Sequence, residues 1–455
     1  MCGIFGVYNN SESAKLTYLG LYALQHRGQE SAGIISSNGK KFFSKLGMGQ
    51  VSEIFNKDDL NYLRGSNSIG HVRYSTAGST SLLNAQPLSI KFVGGNLAIA
   101  HNGNLCNAKK LRDKLEKEGS IFQTSSDSEV ILHLLAKSKK KNIEEKIADA
   151  LTKVEGAYSL LFILDKKIIA ARDPYGFRPL CIGKLKKSYV VSSETCAFDI
   201  ISAEYIRDIE PGEIVSFHNG KMRSIKFSQN KKRAYCIFEY IYFARPDSKV
   251  YGKSVYSIRK NLGKQLAKES DVGADCVISV PDSANVAAVG YAEQSKIPFQ
   301  IGFIRNHYIG RTFIEPKQEI RDFGAKIKYN PVTETLKGKK IVVIDDSIVR
   351  GTTSRKLIRM LKHAGVKEIH HRISSPPIKC PCFYGIDTPQ KSELIAANKS
   401  VEEIRKYIGV NTLHYLSIDG LVKATGMKKE DFCLACFNNC YPEKSPRKAS
   451  NGKSC

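Results

Sequence analysis

Residues 341–354 read IVVIDDSIVRGTTS, an apolar run that ends in two carboxylates and a turn of glycine and hydroxyl residues. The apolar run predicts a buried strand, and the residues after it predict a turn that opens a helix. Because backbone N–H groups at a helix N-terminus attract anions, this turn predicts an anion site, to which Thr352, Thr353 and Ser354 add hydroxyl donors. Asp345 and Asp346 supply carboxylates that can hold ribose hydroxyls or Mg²⁺.

Two common nucleotide-binding motifs do not match this stretch. It has neither the Gly-Lys-Ser/Thr ending of a P-loop nor the Gly-x-Gly-x-x-Gly pattern of a dinucleotide fold. An isolated Asp-Asp pair is usually a solvated turn, but the apolar residues before it and the Gly-Thr-Thr-Ser sequence after it favour a binding site. The stretch therefore argues against hydrolysis of nucleoside triphosphates.

Strands and helices alternate around this stretch. Strands are predicted over Cys276–Val280, Lys340–Ile344 and Glu368–Ile373, and helices from about Ala284 and over Thr353–His363. This alternation predicts a mostly parallel sheet that binds ligands at the carboxyl ends of its strands.

The first 230 or so residues have a different rhythm, with many short apolar segments separated by Gly, Asn and Ser. Strands are predicted over Ile69–Tyr74, Leu97–His101, Tyr158–Leu164 and Tyr189–Ser192, and helices around Leu16–His26 and from Ser128 to about Lys137. The pattern is that of an α+β domain. The polar segment Phe227–Ala234 is the predicted linker to the second domain.

Composition limits the remaining choices. A chain of 455 residues predicts two or more domains, and no apolar run is long enough to span a bilayer, so we expect a cytoplasmic protein without a membrane partner. The 70 basic and 44 acidic residues give a net charge of +26. The lysines are scattered and no basic motif carries interleaved aromatic residues, so we expect no nucleic-acid partner. Part of the excess positive charge would suit an anionic phosphate substrate.

Cys2 follows Met1 directly. Removal of the methionine would leave a thiol and a free α-amine on one residue, and an α-amine titrates near pH ~8, close enough to neutrality to act as a general base. This is the arrangement of an N-terminal nucleophile. An incidental Cys2 is common, so the interpretation depends on the motifs that follow.

Four short motifs after Cys2 fit one amino-acid substrate: residues 25–31 (QHRGQES), 71–76 (HVRYST), 101–104 (HNGN) and 125–129 (SSDSE). Arg73 could clamp an α-carboxylate and Asp127 an α-ammonium. Asn102 and the Gly103 N–H could donate to an oxyanion. Taken singly, an arginine in a strand usually pairs with an acid, Asn-Gly is usually a hairpin turn, and Asp127 could be a helix cap.

Together these residues resemble a class II glutamine amidotransferase domain, and residues 341–354 resemble the signature of type I phosphoribosyltransferases. From residue 2 to about residue 442 the chain resembles the amidophosphoribosyltransferase family. The resemblance implies an αββα N-terminal nucleophile hydrolase domain over 2–230, and an α/β phosphoribosyltransferase domain with a cysteine-cluster segment over 231–455. It implies that glutamine hydrolysed at Cys2 supplies ammonia to C1 of 5-phosphoribosyl 1-diphosphate, the first step of de novo purine synthesis.

The resemblance also implies roles for individual residues. Cys2, Asn102 and Gly103 would be catalytic, and Arg73 and Asp127 would bind glutamine. Ser283, Asp345 and Asp346 would lie at the Mg²⁺. The 5-phosphoribosyl 1-diphosphate contacts would be Asp345, Asp346, Ser347, Arg350, Gly351, Thr352, Thr353, Ser354 and Arg311. Arg311 lies in a loop, Tyr308–Gln318, that would close over the bound substrate.

Twelve cysteines in a cytosolic protein point to catalysis or metal binding rather than to disulfides. The spacing Cys433-x-x-Cys436 suits zinc, an iron–sulfur cluster or a pair without metal. The resemblance implies a [4Fe–4S] cluster held by Cys236, Cys382, Cys433 and Cys436, with Cys380 and Cys440 as neighbours that could replace a ligand. Four other cysteines are predicted to be small buried hydrophobes: Cys106, Cys181, Cys196 and Cys276.

The resemblance further implies a homotetramer inhibited by purine nucleotides. Two alternatives remain open at this point. A glutaminase with another acceptor is disfavoured by the motif at 345–354, and a regulator that only senses phosphoribosyl diphosphate is disfavoured by the glutaminase residues.

Overall fold

The computed structural model describes residues 1–74, 80–306, 329–388 and 390–443. The first half of the chain is built on two antiparallel sheets. In the seven-stranded sheet the strands lie in the spatial order Glu204–Asp208, Cys181–Leu185, Ser188–Ser192, Gly3–Tyr8, Asn67–Arg73, Ser31–Ser37 and Phe42–Met48. In the six-stranded sheet the order is Lys221–Lys226, Glu213–His218, Lys167–Arg172, Gly156–Leu164, Gly95–Leu105 and Leu88–Phe92.

The two sheets pack face to face through an apolar layer. Ile4 and Ile69 reach this layer from the seven-stranded sheet, and Leu161 and Ile163 reach it from the six-stranded sheet. Helices Ser13–Ala23, Val51–Ile54, Lys57–Tyr62 and Cys196–Asp199 cover the outer face of the first sheet, and helices Ala108–Lys117, Ser128–Lys137 and Ile143–Leu151 cover that of the second. The predicted αββα sandwich is confirmed.

The second half is built on a four-stranded parallel sheet, as the alternation of strands and helices predicts. Its strands lie in the order Cys276–Ser279, Lys340–Asp345, Glu368–Ile373 and Thr412–Tyr415. One face packs on helices Val255–Glu269, Asn285–Ser295 and Ile418–Thr425, and the other on helices Thr352–His363, Ile395–Asn398 and Val401–Ile408. None of the helices in the described ranges combines the length and apolar composition that a membrane span needs.

Shorter elements join these layers. Three two-stranded pairs form, Tyr235–Cys236 with Phe432–Cys433, Lys249–Val250 with Lys253–Ser254, and Phe303–Arg305 with Tyr329–Pro331. Among the described residues the short helical segments are a π-helical turn Glu239–Phe243, the α-helical Thr333–Leu336 and Ala435–Asn438, and the 3₁₀ turns Gln25–Arg27, Leu82–Asn84, Lys391–Glu393 and Lys429–Asp431.

The predicted elements agree with the structure to within a few residues, with one informative exception. The helix Ser128–Lys137 and the strand Glu368–Ile373 have the predicted bounds, and the segment Phe227–Ala234 contains neither helix nor strand. The strand predicted to end at His101 continues to Leu105. Its Asn-Gly-Asn sequence is held extended because the neighbouring strand pairs with it along its full length.

Two helices that support the parallel sheet touch backbone to backbone through glycines. A Cβ atom added at Gly263 would lie 1.8 Å from the carbonyl oxygen of Ala287, and one added at Gly290 would lie 1.9 Å from that of Lys260. No side chain fits in either place, so the helices Val255–Glu269 and Asn285–Ser295 can approach this closely only with glycine at both crossing points.

We expect Gly290→Ala to lower the free energy of unfolding by about 2 kcal/mol, since the added methyl group forces two packed helices apart. The matched control is Gly273→Ala, where an added Cβ meets no atom within 4 Å. Urea unfolding followed by circular dichroism measures both variants. Equal unfolding midpoints for the two variants would contradict the close helix contact.

Candidate active site

A cavity that is partly open to solvent is lined by residues from both halves of the chain. Its volume is about 440 Å³, and it is lined by Met1 and Tyr74 at one side and by Asp345, Asp346 and Thr352–Ser354 at the other. Three aromatic side chains line the same cavity, namely Phe238, Tyr242 and Phe243. A more voluminous hollow of about 740 Å³ lies among surface lysines and is lined by none of the predicted site residues.

The paired acids lie at the carboxyl end of the strand Lys340–Asp345, as predicted. Ser283 donates a hydrogen bond to Asp346 from the neighbouring strand-to-helix connection, and the Ser347 hydroxyl donates to the other carboxylate oxygen at 2.5 Å. Burial and the adjacent charge of Asp346 raise the pKa of Asp345 well above its ordinary value, and burial also raises that of Asp346. Two crowded, buried carboxyls of this kind suit a divalent cation, which would relieve their repulsion.

The phosphate cradle forms at the start of the helix Thr352–His363. Gly351 caps this helix in the left-handed conformation, with φ +75°, and a Cβ there would lie 2.8 Å from Ile395 Cδ1. Residues 347–354 line the cavity, so the free N–H groups of the first helical turn face a space that can hold an anion. Arg350 pairs with Glu393 at 3.0 Å near the surface.

The predicted nucleophile Cys2 does not itself line the cavity, but it follows Met1 and contacts Tyr74, which both do. The Cys2 thiol donates to the Tyr74 carbonyl at 3.6 Å, and Arg27 Nε donates to the Cys2 carbonyl at 2.9 Å. Burial, opposed by the Cys2 charge and assisted by Arg178 and Arg27, lowers the pKa of the Met1 amine to about 5. This shift belongs to Met1; the nitrogen of Cys2 becomes a free amine only when Met1 is removed.

Asn102 and Gly103 lie inside a strand rather than in the hairpin turn that their sequence commonly forms. The side chain of Asn102 is 1% exposed, and neither of its amide atoms has a hydrogen-bond partner among the described residues. A Cβ at Gly103 would lie 1.9 Å from the carbonyl oxygen of Ala157. A buried amide without a partner costs free energy, which a ligand oxygen or amine would recover.

Arg73 and Asp127, the two residues predicted to bind glutamine, each interact with other residues of the chain in this structure. Arg73 lies at the end of its strand and pairs with Glu30. Asp127 accepts from the Leu105 N–H at 2.8 Å and lies 3.7 Å from His101 Nδ1, so it is not a simple helix cap. Burial alone would raise the pKa of Asp127, but the charge of His101 and these hydrogen bonds hold it below its ordinary value.

A buried charge network beside Cys2 was not predicted. Arg27 donates to Glu194 and, with two bonds of 3.0 and 2.9 Å, to Glu239 of the π-helical turn; all three side chains are fully buried. Arg178 lies 3.4 Å from the same Glu239 and donates twice to the Tyr384 carbonyl. The motif at 25–31 contained Arg27, but its partners lie 167 and 212 residues away and no local pattern links them.

The segment Cys382–Thr388 packs directly on the strand that carries Asn102. The Phe383 carbonyl accepts from Asn104 Nδ2 at 2.9 Å. A Cβ at Gly385 would lie 2.9 Å from the backbone carbon of Gly103. This close approach brings a predicted cluster cysteine and the predicted oxyanion residues into one packed unit.

The four predicted cluster cysteines come from three segments and lie near one another. Cys236 and Cys433 are paired on adjacent parallel strands, and burial followed by the charges of Cys433, Cys236 and Cys382 raises the pKa of Cys436 well above its ordinary value. Cys380 is a neighbour, since its N–H donates to the Cys436 carbonyl. Within the described ranges no three cysteine, histidine or acidic side chains have the arrangement of a closed metal site.

The predictions for the Arg311 loop and for four cysteines outside the proposed cluster have different outcomes. Arg311 and its loop Tyr308–Gln318 lie outside the described residues. Cys181, Cys196 and Cys276 are buried as expected, but Cys106 is only partly buried and its thiol donates to the Phe383 carbonyl at 3.5 Å. Cys106 is therefore part of the contact between the two halves rather than a small hydrophobe of one core.

Known proteins resemble this chain over nearly its whole length. A family model described as a glutamine amidotransferase domain matches residues 71–199. The amidophosphoribosyltransferase of Bacillus subtilis is 50% identical over 97% of this chain and 94% of that protein, and that of Methanothermobacter thermautotrophicus is 48% identical over 98% and 95%. The solved glutamine phosphoribosylpyrophosphate amidotransferase of B. subtilis, complexed with ADP and GMP, matches with a TM-score of 0.93, 49% identity and 98% coverage of both chains. A structure described as the allosteric regulatory enzyme of purine biosynthesis matches with a TM-score of 0.94 and 49% identity, over 99% of this chain and 98% of that one.

We expect Glu239→Gln to lower the free energy of unfolding by about 3 kcal/mol, because it leaves two buried guanidinium groups with a single carboxylate. The control is Asp419→Asn, which removes an exposed pair with Lys429 and should change stability by less than about 0.5 kcal/mol. Urea unfolding at neutral pH compares them. A Glu239→Gln midpoint equal to that of the control would show that the network does not stabilise the fold.

Proposed function

This chain belongs to the amidophosphoribosyltransferase family, and we propose how its residues divide the reaction. The enzyme is a glycosyltransferase of purine biosynthesis that uses L-glutamine as its nitrogen source. Glutamine and water give glutamate and ammonia. The ammonia then displaces diphosphate from C1 of 5-phosphoribosyl 1-diphosphate, giving 5-phosphoribosylamine.

The observation that carries the assignment of residues is the shared cavity of about 440 Å³. Tyr74, whose carbonyl accepts from Cys2, lines it at one side, and Asp345 and the helix start at Thr352 line it at the other. Ammonia in water is protonated near neutral pH and is then no nucleophile. A passage lined by aromatic side chains would keep it unprotonated between the two reactions.

In the glutaminase reaction, the Cys2 thiolate attacks the side-chain amide carbon of glutamine, with the α-amine of Cys2 as the base. Asn102 and the Gly103 N–H donate to the oxyanion, ammonia leaves, and water hydrolyses the thioester. The unpartnered amide of Asn102 supports its role, since an oxyanion would supply the missing acceptor. Arg73, which pairs with Glu30 in this structure, would bind the α-carboxylate of glutamine in place of Glu30 or together with it. Asp127 would accept from the α-ammonium of glutamine.

In the transfer reaction, the N–H groups and hydroxyls of Ser347 and of Arg350–Ser354 hold the 5-phosphate. Asp345 and Asp346 hold the ribose hydroxyls. The same acids, with Ser283, would hold Mg²⁺, and a bound Mg²⁺ would supply positive charge to a diphosphate leaving group. Arg311 would contact that diphosphate. The raised pKa values of the two buried acids support a cation there.

The larger organisation is proposed from the same relationship. We place the glutaminase domain at 2–230 and the phosphoribosyltransferase domain with the cysteine segment at 231–455. The solved relative of B. subtilis is complexed with ADP and GMP, which supports purine nucleotides as inhibitors of this chain. A homotetramer is the proposed assembly.

A [4Fe–4S] cluster on Cys236, Cys382, Cys433 and Cys436 is the proposed cofactor. Its support is that these four cysteines, from three segments, lie near one another, and that the Tyr384 N–H donates to Cys382 Sγ at 3.3 Å. Hydrogen bonds from backbone N–H groups to the cysteine sulfurs are common around such clusters. Its role would be structural, because it ties the segment beside Gly103 to the end of the chain.

Protein purified without oxygen should show the broad visible absorption of an iron–sulfur cluster and hold about four irons per chain. Cys433→Ser should lose that absorption, whereas Cys380→Ser should keep it. Iron analysis and absorption spectra measure both variants. Colourless protein with stoichiometric zinc would contradict the cluster, and loss of colour in Cys380→Ser alone would change the ligand set.

Cys2→Ala should abolish diphosphate release with glutamine but leave release with ammonia close to that of the unaltered enzyme, because only the glutaminase reaction needs the thiol. Cys181→Ala, in the same domain, should keep both activities. Diphosphate and glutamate are measured with each nitrogen source. Loss of both activities in Cys2→Ala, or their full retention, would contradict the two-site assignment.

A further inference from the structure

Two buried polar side chains beneath Asp345 have no hydrogen-bond partner among the described residues. They are His371, whose two ring nitrogens are both unpaired, and Tyr415, whose hydroxyl is unpaired. His371 is 1% exposed and Tyr415 is 7% exposed. Leaving a buried donor or acceptor unpaired is costly, so each of these three atoms would gain free energy from a hydrogen-bond partner.

The sheet register places these groups on the same face as Asp345. Asp345 is level with Ile373, and Ile373 is level with Tyr415 on the next strand. His371 is two residues before Ile373 and therefore shares its face. The His371 Nε2 atom lies 3.9 Å from Asp345 Oδ2, and burial together with the charge of Asp345 raises the pKa of Tyr415.

The two carboxylate oxygens of Asp345 have different surroundings. Asp345 Oδ1 accepts from the Asp346 N–H at 2.9 Å, whereas Asp345 Oδ2 faces His371 Nε2 at 3.9 Å. A separation of 3.9 Å is too long for a direct hydrogen bond, but it closes with a small movement or with one bridging water. Around them the sheet face is apolar, with Val343 and Ile373 as neighbours.

We propose that His371, assisted by the Tyr415 hydroxyl, is a positioning residue that holds the Asp345 carboxylate in the orientation that binds the ribose. This inference rests on the proposed role of Asp345. The imidazole N–H donates to Oδ2 from below when Asp345 is ionised, so the remaining lone pairs face the substrate. His371 itself does not touch the substrate.

The alternative is a histidine that only fills the core, and the two cases differ in kinetics. A core-filling role changes stability, whereas a positioning role changes the KM for 5-phosphoribosyl 1-diphosphate. His370 offers a matched control on the same strand, since it points to the other face and bonds to Thr412 Oγ1 at 3.0 Å. The ammonia-dependent reaction is the right assay because it bypasses the glutaminase.

The test compares His371→Leu, His371→Gln and the control His370→Gln in ammonia-dependent diphosphate release. His371→Leu should raise the KM for 5-phosphoribosyl 1-diphosphate about tenfold, as expected for loss of a hydrogen bond to a charged group, with kcat little changed. His371→Gln should restore most of the affinity, because its amide nitrogen can replace Nε2. The control should match the unaltered enzyme. An unchanged KM in His371→Leu overturns the inference.

A double-mutant cycle with Asp345→Asn separates this inference from the proposed function. If His371 acts through Asp345, His371→Leu should have little further effect in the Asp345→Asn background. An equal effect in both backgrounds overturns the inference alone, while a normal KM in Asp345→Asn overturns the assignment of Asp345 itself. Should His371→Leu fail to fold, Tyr415→Phe decides: a raised KM supports the inference, and an unchanged KM overturns it.

Discussion

The structure depends on a pairing of buried charges between the 3₁₀ turn Gln25–Arg27 of the first half and the π-helical turn Glu239–Phe243 of the second half. Arg27, Glu194 and Glu239 have fully buried side chains and satisfy one another, and Arg178 extends the network to the Tyr384 carbonyl. Buried ions tolerate little displacement, because a lost partner leaves an uncompensated charge in a medium of low polarity. The network therefore fixes how Cys2 is placed relative to the second half of the chain.

That constraint explains why a single cavity can serve both reactions. Cys2 is held by Arg27 through its carbonyl and by Tyr74 through its thiol, and Tyr74 lines the cavity that reaches Asp345. A passage for a small neutral molecule works only if its walls do not open to water. Arg27 lines the cavity itself, and its buried bonds to Glu194 and Glu239 hold that part of the wall in place.

Local sequence patterns predicted much of this fold and of its chemistry. The strand–turn–helix at 341–354 and the helix Ser128–Lys137 follow from apolar periodicity and turn residues, which are local properties. The pairing of Arg27 with Glu239, and the orphaned His371, could not be predicted in this way. Both depend on residues brought together from distant parts of the chain, and Asn102–Gly103 was ambiguous because only the neighbouring strand holds it extended.

The contact between Gly385 and Gly103 bears on how such an enzyme can be re-engineered. In the sequence the two halves resemble independent domains joined by the linker 227–234, which contains neither helix nor strand. At the contact of Gly385 with Gly103, however, the two halves meet backbone against backbone, and nearby the buried Arg27–Glu239 pair also joins them. A chimera that exchanges either half must bring the matching glycine with it, so the natural unit of exchange is the whole chain rather than the domain.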